Sequence, residues 1–214
     1  MGDLESFRKL GITETTIAAL QRKGFEEPSP IQAAVIPLLL AGEKDVIGQA
    51  QTGTGKTAAF GIPVIETLKT SKKHVQALIM TPTRELTIQI AEELNSLKGD
   101  RGLKIAPVYG GQSIEIQLSK LRTGVDIVVG TPGRLMDLME RKALDISKVS
   151  FAILDEADEM LSMGFAEDIE NILSVTPEDK KMLMFSATMP SAILNIASRF
   201  MREYEIVNVK RDTT

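Results

Sequence analysis

The segment Ala50-Gln51-Thr52-Gly53-Thr54-Gly55-Lys56-Thr57 has the residue types and spacing of a phosphate-binding loop. Its glycines let the backbone curl so that several N–H groups point at one anion, and a following helix adds its positive dipole end. Lys56 is suited to reach the β- and γ-phosphates of a nucleotide, and the Thr57 hydroxyl to join the shell of a magnesium ion. The usual pattern begins with glycine, whereas this chain has Ala50 there and an additional Gly53 inside the loop. The alternative is a flexible glycine turn, which the position between a predicted strand and a predicted helix disfavours.

A second segment whose residue types could take part in a reaction, Asp155-Glu156-Ala157-Asp158, follows the apolar run Phe151–Leu154. A carboxylate at a strand end beside a phosphate loop is suited to hold magnesium through water. A second carboxylate is suited to orient or deprotonate the attacking water. Asp155 fits the first role and Glu156 the second. Taken alone the segment is equally typical of a solvated acidic turn, so this interpretation depends on the lysine loop.

The composition restricts the chemistry available to the chain. The absence of cysteine excludes disulfides, thiolate zinc sites and cysteine nucleophiles. The single histidine, His74, lies in a polar stretch that predicts a loop, where a solvated histidine is far more common than a catalytic one. With 25 Lys and Arg against 29 Asp and Glu, the net charge is −4, which does not favour nucleic-acid binding. Any nucleic acid must therefore bind a local site built from backbone amides and a few placed cations.

Apolar, β-rich runs alternate with amphipathic helical patterns along the chain. One predicted helix spans Leu86–Leu97, and its apolar residues fall on one face: Leu86, Ile90, Leu94 and Leu97. Seven runs predict buried strands: Val46–Gly48, Ala77–Met80, Ile105–Val108, Ile127–Val129, Phe151–Leu154, Met182–Phe185 and Ile206–Val209. Continuous apolar strands between helices indicate an α/β fold with a mainly parallel central sheet covered on both faces. Ligands bind such sheets at the carboxyl ends of the strands, and each chemical segment directly follows a predicted strand.

Further short motifs make the chain resemble a known family. Asp-Glu-Ala-Asp spells the name of the DEAD-box ATP-dependent RNA helicases, and the chain resembles the N-terminal, ATP-binding domain of that family. The other matching motifs are Gly24-Phe25 with Pro28-Ser29-Pro30-Ile31-Gln32 as the Q motif, Pro82-Thr83-Arg84-Glu85-Leu86, Gly110-Gly111, Thr131-Pro132-Gly133-Arg134 and Ser186-Ala187-Thr188. They extend from Phe7, the upstream aromatic of the Q motif, to Thr188, so the resemblance covers nearly the whole chain.

The resemblance implies a three-layer αβα, RecA-like domain (a P-loop NTPase) with ATP and Mg²⁺ as cofactors. The residues implied to bind the nucleotide are Phe25, Gln32, Gln51, Thr52, Gly53, Thr54, Gly55, Lys56 and Thr57. Thr57 and Asp155 are implied to hold the metal, and catalysis is assigned to Lys56, Asp155 and Glu156. The Gln32 amide carries both the donor and the acceptor that reading the adenine edge requires, and Phe25 is able to stack on the base. Taken alone, Gln32 would be interpreted as an exposed helix residue and Phe25 as a core aromatic.

In the family, loops at the strand ends contact the RNA sugar–phosphate backbone. The residues here that are implied to do so are Thr83, Arg84, Gly111, Gln112, Thr131, Pro132 and Arg134. Small residues, hydroxyls and arginines suit that task, and no aromatic platform stands out among them. We therefore expect sequence-independent binding, with 2′-hydroxyl contacts selecting RNA. The alternative for the two arginines is a surface charge at a helix start.

Asp158, Ser186 and Thr188 are implied to relay the nucleotide state, with both hydroxyls bonding Asp158. The alternative for Ser186 and Thr188 is a pair that caps a strand end, and both interpretations are compatible.

The resemblance divides the chain into a Q-motif region at 1–33 packed on the core, a RecA-like domain at 34–208 and the start of an interdomain linker at 209–214. Family members add a second RecA-like domain with arginine fingers, and no segment here resembles it, so we expect a longer parent protein. ATP hydrolysis coupled to local RNA unwinding is the favoured interpretation. A nucleotide-dependent RNA clamp is the first alternative, and a DNA translocase is the second, disfavoured by the Q motif. A cytoplasmic location without membrane contact is expected, and protein partners are not predicted.

Overall fold

The computed structural model describes residues 4–70 and 72–209. Within these ranges the strands are β1 (Asp45–Gln49), β2 (Ala77–Met80), β3 (Ile105–Val108), β4 (Ile127–Gly130), β5 (Phe151–Leu154), β6 (Lys181–Ser186) and β7 (Tyr204–Asn208). The helices are α1 (Glu5–Arg8), α2 (Glu14–Arg22), α3 (Pro30–Ala41), α4 (Lys56–Thr67), α5 (Arg84–Leu97), α6 (Ile114–Arg122), α7 (Pro132–Glu140), α8 (Ala157–Ser162), α9 (Ala166–Ser174) and α10 (Ser191–Phe200). Strands and helices alternate from β1 onward, as the apolar periodicity predicts.

These strands form one sheet in the order β3-β4-β2-β5-β6-β1-β7, and every neighbouring pair is parallel. Helices α1–α5 pack against one face of the sheet and α6–α10 against the other. Alternate strand residues serve the two cores, as Val46 and Ile47 of β1 show. The predicted three-layer α/β fold is therefore confirmed, with a sheet that is parallel throughout the described residues.

The prediction of a buried strand at Ile206–Val209 is wrong in its burial and in its bounds. The strand here is β7, which pairs only with β1 at the edge of the sheet. Val207 packs against one core, whereas Ile206 is 49% exposed. An edge strand has one neighbour and incomplete helix cover, so an apolar run there is not buried on both faces. The other six predicted strands lie within or match β1–β6.

Local capping explains where the helices next to the strand ends begin. Ser29 and Gln32 form a reciprocal capping box at the start of α3, with Pro30 in the first helical position. Thr83 caps α5, because its hydroxyl accepts a hydrogen bond from the Leu86 amide at 3.2 Å. The predicted helix Leu86–Leu97 is confirmed and begins two residues earlier. Gln32 and Arg84 thus lie in first turns, close to the loops that leave the strands.

Two buried carboxylates fix the amino edge of the sheet, where the strands begin. Asp45 is fully buried and accepts hydrogen bonds from Arg202 Nη2 at 2.7 Å and from the backbone amides of Arg202 and Met182 at 2.8 and 3.0 Å. Asp126 is also buried and accepts from Gln76 Nε2 and from the Lys104 amide, both at 2.9 Å. These bonds tie the loops that enter the strands to the body of the fold.

No helix in the described part of the chain has the length and apolarity to cross a membrane. His74 lies in the loop before β2, as predicted, and is half-buried. The predicted linker at 209–214 lies outside the described residues except for Val209.

Candidate functional site

A cleft of about 380 Å³ opens at the carboxyl edge of the sheet, where β1 and β5 end. Its volume is in the range typical of small-molecule sites. The cleft is lined by Phe25, Gln32, Thr52, Gly53, Gly55, Lys56, Thr57, Ala58, Leu86, Gln89, Glu93, Asp155 and Glu156. Nine of the eleven residues expected to serve the nucleotide or catalysis are therefore brought together, and Gln51 and Thr54 stay outside the lining. Leu86, Gln89 and Glu93 of α5 were not expected, since nothing in the sequence places that helix beside the glycine loop.

The loop between β1 and α4 depends on two glycines in the left-handed backbone region. Gly53 has a φ of 77° and Gly55 a φ of 87°, which L side chains rarely adopt. A Cβ at Gly55 would also lie 2.5 Å from Gln32 Nε2. The Thr54 hydroxyl donates to the Gln51 carbonyl at 2.8 Å and closes the turn from within. The loop therefore delivers Lys56 and Thr57 to the first turn of α4.

Gln32 is a buried residue, which excludes its interpretation as an exposed helix residue. Its amide oxygen accepts from the Ser29 backbone at 2.9 Å, and its Nε2 donates to the Gly55 carbonyl at 3.1 Å. An amide has two protons and two lone pairs, so these bonds leave one of each unused within the described residues. Gln32 thus joins the start of α3 to the phosphate-type loop and keeps hydrogen-bonding capacity beside the cleft.

Phe25 lines the same cleft and also packs against the core. Its ring meets Phe7 edge-on, with 6.0 Å between centroids and 70° between planes. The two interpretations of this aromatic, as a core residue and as a cleft residue, therefore both describe it.

Lys56 and Asp155 form a buried ion pair at the floor of the cleft. Lys56 Nζ lies 3.1 Å from Asp155 Oδ1, and the two side chains are 8% and 2% exposed. The same Oδ1 accepts the Glu156 amide at 3.0 Å. Each charge compensates the other, because an isolated ion at such burial would be strongly destabilising.

Glu156 occupies an unusual backbone conformation at the start of α8. Its φ and ψ are 51° and 50°, in the left-handed region that costs a non-glycine residue roughly 1 kcal/mol or more. Burial, and then the charge of Asp155, raise the pKa of its carboxyl above the ordinary value, and Lys56 opposes them only in part. A raised pKa moves a carboxyl towards the range in which a general base operates. Strain combined with a perturbed pKa is typical of a functional residue.

The residues at the cleft fit magnesium in one binding mode. Within the described residues, no three His, Asp or Glu side chains cluster to form a protein-only metal cage. Magnesium instead commonly takes one or two protein oxygens and completes its shell with water and phosphate. Asp155 Oδ2 accepts no hydrogen bond within the described residues, and Thr57 is half-buried in the first turn of α4. Both supply hard oxygen ligands, which is the donor type that this ion requires.

Asp158 connects the acidic segment to the loop after β6. The Thr188 amide and hydroxyl donate to Asp158 Oδ2 at 3.0 and 2.8 Å. Burial raises the pKa of Asp158, but hydrogen bonds from Thr188, and then from Ser186 and the Glu159 amide, outweigh burial, so the pKa lies below its ordinary value. The Ser186 hydroxyl donates at 2.6 Å to the Thr188 carbonyl and also helps to lower the pKa of Asp158, so it lies beside that carboxylate. The short Ser-Ala-Thr turn lets the strand-end hydroxyl close on its own backbone.

The strand-end loops after β2 and β3 meet through Arg84. Its guanidinium lies 5.0 Å above the Tyr109 ring, a cation–π contact, and is exposed. A Cβ on Gly111 would contact its Nη1 at 3.5 Å, so these two predicted residues are neighbours. Tyr109 was missed because it reads as the last apolar residue of the strand before Gly110-Gly111.

The loops after β3 and β4 are joined by a buried glutamine. Gln117 Oε1 accepts from Arg134 Nη1 at 2.9 Å, and its Nε2 donates to Gln112 Oε1 at 2.9 Å and to the Tyr109 carbonyl at 3.0 Å. Thr131 and Pro132 form the cap and first residue of α7, directly before Arg134. The seven predicted strand-end residues therefore serve different parts of this edge. Thr83 caps α5, Arg84 lies beside Gly111, Gln112 and Arg134 bond Gln117, and Thr131 and Pro132 begin α7. The signal that could have revealed Gln117 is its place on the apolar side of an amphipathic helix.

Comparison with known proteins was made on the sequence and on the fold. A model of the DEAD/DEAH box helicase family matches residues 29–196. The DEAD-box ATP-dependent RNA helicases CshA of Geobacillus kaustophilus and Bacillus subtilis are 52% and 51% identical to the chain, over 97% and 96% of its length. The chain spans 44% and 41% of those two relatives, so less than half of each is represented.

Solved structures agree with the sequence comparison. A DEAD box protein from the hyperthermophile Methanococcus jannaschii superposes with a TM-score of 0.92 at 48% identity, over 96% of this chain and 56% of that one. A hypothetical ATP-dependent RNA helicase from Sulfolobus tokodaii gives 0.85 at 39% identity, over 92% of this chain and 57% of that one. At these identities the likeness concerns the sequence as well as the fold.

Proposed function

The chain belongs to the DEAD/DEAH box helicase family, and from that premise we propose that it is the ATP-binding half of an RNA helicase that couples Mg–ATP hydrolysis to local RNA unwinding. The observation that carries the proposal is the convergence of Lys56, Asp155 and Glu156 in one cleft. Lys56 and Asp155 are 99 residues apart in the chain, yet their charged atoms are in contact. A cation for phosphate, a carboxylate for metal and a base of raised pKa are the groups that nucleotide hydrolysis needs.

Adenine selection is assigned to Gln32. Its unused amide proton and lone pair match the N7 acceptor and N6 donor of adenine, and guanine presents two acceptors at the corresponding edge. The two bonds that Gln32 already makes hold its amide plane in place, so little side-chain entropy is lost on binding. Phe25, at the mouth of the same cleft, supplies an apolar surface for the base.

Phosphate binding is assigned to the loop and to Lys56. The amides at the start of α4 and the lysine charge attract the phosphates, and Lys56 must exchange its contact with Asp155 for one with the ligand. Thr57 and Asp155 would hold Mg²⁺, which supplies charge neutralisation of the phosphates when bound. Gln51, Thr52, Gly53, Thr54 and Gly55 contribute the curled backbone that brings the amides to the ligand.

Water activation is assigned to Glu156. Its raised pKa makes its carboxylate a stronger base than an ordinary glutamate. Asp158 follows it by two residues and is bonded to Thr188, so a movement of the acidic segment would be transmitted to the loop after β6. Asp158, Thr188 and, through its carbonyl contact, Ser186 are therefore proposed to couple the nucleotide state to the rest of the protein.

RNA binding is assigned to the strand-end loops after β2, β3 and β4. The proposed residues are Thr83, Arg84, Gly111, Gln112, Thr131, Pro132 and Arg134. Arg84 and Gly111 are exposed, which leaves a charge and a stretch of backbone accessible for sugar–phosphate contacts. The carboxyl edge offers few cations, so it can supply only part of the RNA contacts. We expect sequence-independent binding to be completed by a second RecA-like domain.

The test is a steady-state ATPase and duplex-separation assay on residues 1–214 beside a longer protein that continues into a second domain. We expect the longer protein to hydrolyse ATP with RNA stimulation and to separate duplexes. The chain alone should be slower by roughly 10³–10⁵, because no arginine among the described residues lines the cleft to face the γ-phosphate. That range corresponds to about 4–7 kcal/mol of barrier. Comparable RNA-stimulated turnover by both proteins would show that the site is complete in this chain. RNA retention without duplex separation by the longer protein would favour a nucleotide-dependent clamp.

A further inference from the structure

Seven of the 25 cations of this acidic chain line one surface at the amino edge of the sheet. Two adjoining concavities of about 360 and 490 Å³ share Gly102, Lys104 and the segment 123–125 in their walls. Seven cations line them: Lys72, Lys73, Lys98, Lys104, Lys120, Arg122 and Lys148. The only carboxylates in the same lining are Asp126 and Asp145. We call these seven residues the amino-edge basic surface. The rest of the chain has 18 of the 25 cations and 27 of the 29 carboxylates, so it is more acidic than the whole.

The topology of the sheet assembles this surface from four separate loops. Lys72 and Lys73 precede β2, Lys104 precedes β3, Arg122 precedes β4 and Lys148 precedes β5. Those four strands are consecutive in the sheet order β3-β4-β2-β5. At about 4.8 Å between neighbouring strands, the cations extend across roughly 14 Å. The surface therefore has the breadth for several phosphate contacts.

The cations of this surface are exposed and lack ionic partners. Six of the seven are exposed, and Lys98 is half-buried. Within residues 4–70 and 72–209, none of the seven forms an ion pair with a carboxylate. Lys98 and Lys104 donate to the carbonyls of Leu103 and Thr123 at 2.8 and 3.2 Å, which orients their charges without neutralising them.

The two carboxylates in the lining do not cancel this charge. Asp126 is 6% exposed, and both of its oxygens are used by Gln76 and by the Lys104 backbone. It therefore acts as an internal brace that fixes the loop carrying Lys104. Asp145 is exposed, and hydrogen bonds from Ser147 lower its pKa, so it remains one exposed counter-charge among seven cations.

We propose that the amino-edge basic surface binds the phosphate backbone of duplex RNA, as a second contact region separate from the strand-end loops. This inference rests on the proposed function for the identity of the nucleic acid. An acidic protein is a poorer fit, because protein interfaces are anchored by apolar or aromatic side chains, and no exposed large hydrophobic residue lies in this lining. Backbone recognition, by contrast, needs only placed cations and amides.

Duplex RNA is favoured over single-stranded RNA because the described lining of this surface has almost no aromatic side chains. Proteins that bind unpaired strands stack the bases on aromatic side chains. Of the described residues lining the two concavities, His74 carries the only ring, and it is half-buried with Nδ1 at 3.0 Å from the Val75 carbonyl. The surface is thus able to read charge and shape but not bases. Because β2 and β4 have four residues each, it lies roughly 13 Å from the carboxyl edge, so duplex RNA held there would be independent of nucleotide in the cleft.

The test compares two triple variants of the 214-residue chain that remove the same charges. The first is Lys73→Gln/Arg122→Gln/Lys148→Gln, on the amino-edge basic surface. The matched control is Lys9→Gln/Lys44→Gln/Arg199→Gln, exposed cations outside its lining. Affinity for a blunt, fluorescein-labelled RNA duplex is measured by anisotropy without nucleotide, between 50 and 200 mM salt. Melting temperature and adenine-nucleotide affinity are measured on each variant.

We expect the first variant to lose at least about tenfold in duplex affinity, and its dependence of log K on log salt to fall by roughly 2–3. The control should remain within about twofold of the parent, and all three proteins should bind the nucleotide equally. Equal losses of duplex affinity in both variants would mean that the effect depends only on net charge. Unchanged duplex affinity in the first variant would mean that the surface does not contact RNA. Either result overturns the proposal. If polyglutamate binds the parent as tightly as the duplex does, and the first variant loses that binding, the proposal is overturned and an acidic protein is the better partner. A parent that binds duplex but no adenine nucleotide contradicts the proposed function and leaves this surface standing.

Discussion

At the carboxyl edge of the sheet, Lys56 and Asp155 are paired across a cleft, whereas the seven cations of the amino-edge basic surface form no ion pair within residues 4–70 and 72–209. Lys56 is neutralised by Asp155, whereas Arg134, bonded to the neutral Gln117, and the exposed Arg84 keep their charges. The amino edge buries its structural carboxylates, Asp45 and Asp126, and exposes its cations. The first arrangement suits a ligand that must displace an existing contact, which gives selectivity. The second suits a polyanion bound through many weak contacts, which gives affinity that depends on salt.

The largest expected effect separates chemistry from binding at the carboxyl edge. Glu156→Gln in a longer protein with the second domain should lower kcat by about 10²–10⁴, because the base is lost and its shape is kept. ATP affinity should stay within a few-fold of the parent, whereas Lys56→Ala should weaken it. The amino-edge triple variant is the control and should leave kcat unchanged at saturating RNA. Hydrolysis by Glu156→Gln within a few-fold of the parent rate would remove Glu156 from its assigned role.

The next effect measures how rigidly the amino edge is built. Asp45→Ala should lower the free energy of unfolding by roughly 2–4 kcal/mol, since two backbone amides and Arg202 lose their buried acceptor. Urea unfolding of the chain followed by circular dichroism gives the value. Glu203→Ala removes an exposed partner of Lys44 from the same edge and should leave the stability almost unchanged, because solvent screens the pair. Similar small values for both would mean that Asp45 is not a structural anchor.

A smaller effect concerns base selection by Gln32. The chain should bind ADP more tightly than GDP by about 1–3 kcal/mol, the cost of a buried hydrogen-bond mismatch. Gln32→Ala should remove most of that preference and also release the Gly55 carbonyl. Calorimetric titration of both nucleotides on both proteins measures the difference. Equal ADP and GDP affinities in the parent chain would contradict the assignment.

The smallest effect is a pH dependence of stability caused by Glu156. Its pKa in the folded chain lies above the ordinary 4.5, so the folded state binds this proton more tightly than the unfolded state does. Ionisation of Glu156 therefore opposes folding above the folded pKa, and the penalty disappears as the pH falls below about 4.5. Glu156→Gln should therefore raise the melting temperature slightly at pH 7. The corresponding gain in the free energy of unfolding should be less than about 1 kcal/mol, because the site is partly solvated. The gain should vanish near pH 4, and a gain that grows towards low pH would have the wrong sign.

The features that could be predicted from the sequence are those set by residues close to one another along the chain. The glycine loop, the acidic segment and the apolar strands are local patterns, so the fold class and most of the cleft lining followed from them. Leu86, Gln89 and Glu93 join the cleft only through packing of α5 against α4, which no local pattern records. The exposure of Ile206 depends on β7 lying at an edge, and strand order is a property of the whole sheet.

The amino-edge basic surface illustrates the same limit more strongly. Lys72 and Lys148 lie far apart in the chain, and neither stands in a run of like charges longer than two residues. An overall charge of −4 even argues against the surface. Only the order β3-β4-β2-β5 brings the four loops together. Collective electrostatic features therefore require the topology, whereas motif chemistry does not.

The ion pair between Lys56 and Asp155 balances two charges of the cleft that would otherwise each be buried alone. An anion that draws Lys56 away leaves Asp155 as a buried carboxylate without its counter-ion, which is strongly unfavourable. A cation that takes Asp155 leaves Lys56 in the corresponding position. Each ligand alone breaks the pair, whereas both together replace it with two new pairs. The affinities of anion and cation are therefore thermodynamically linked, and each raises the other by the same factor.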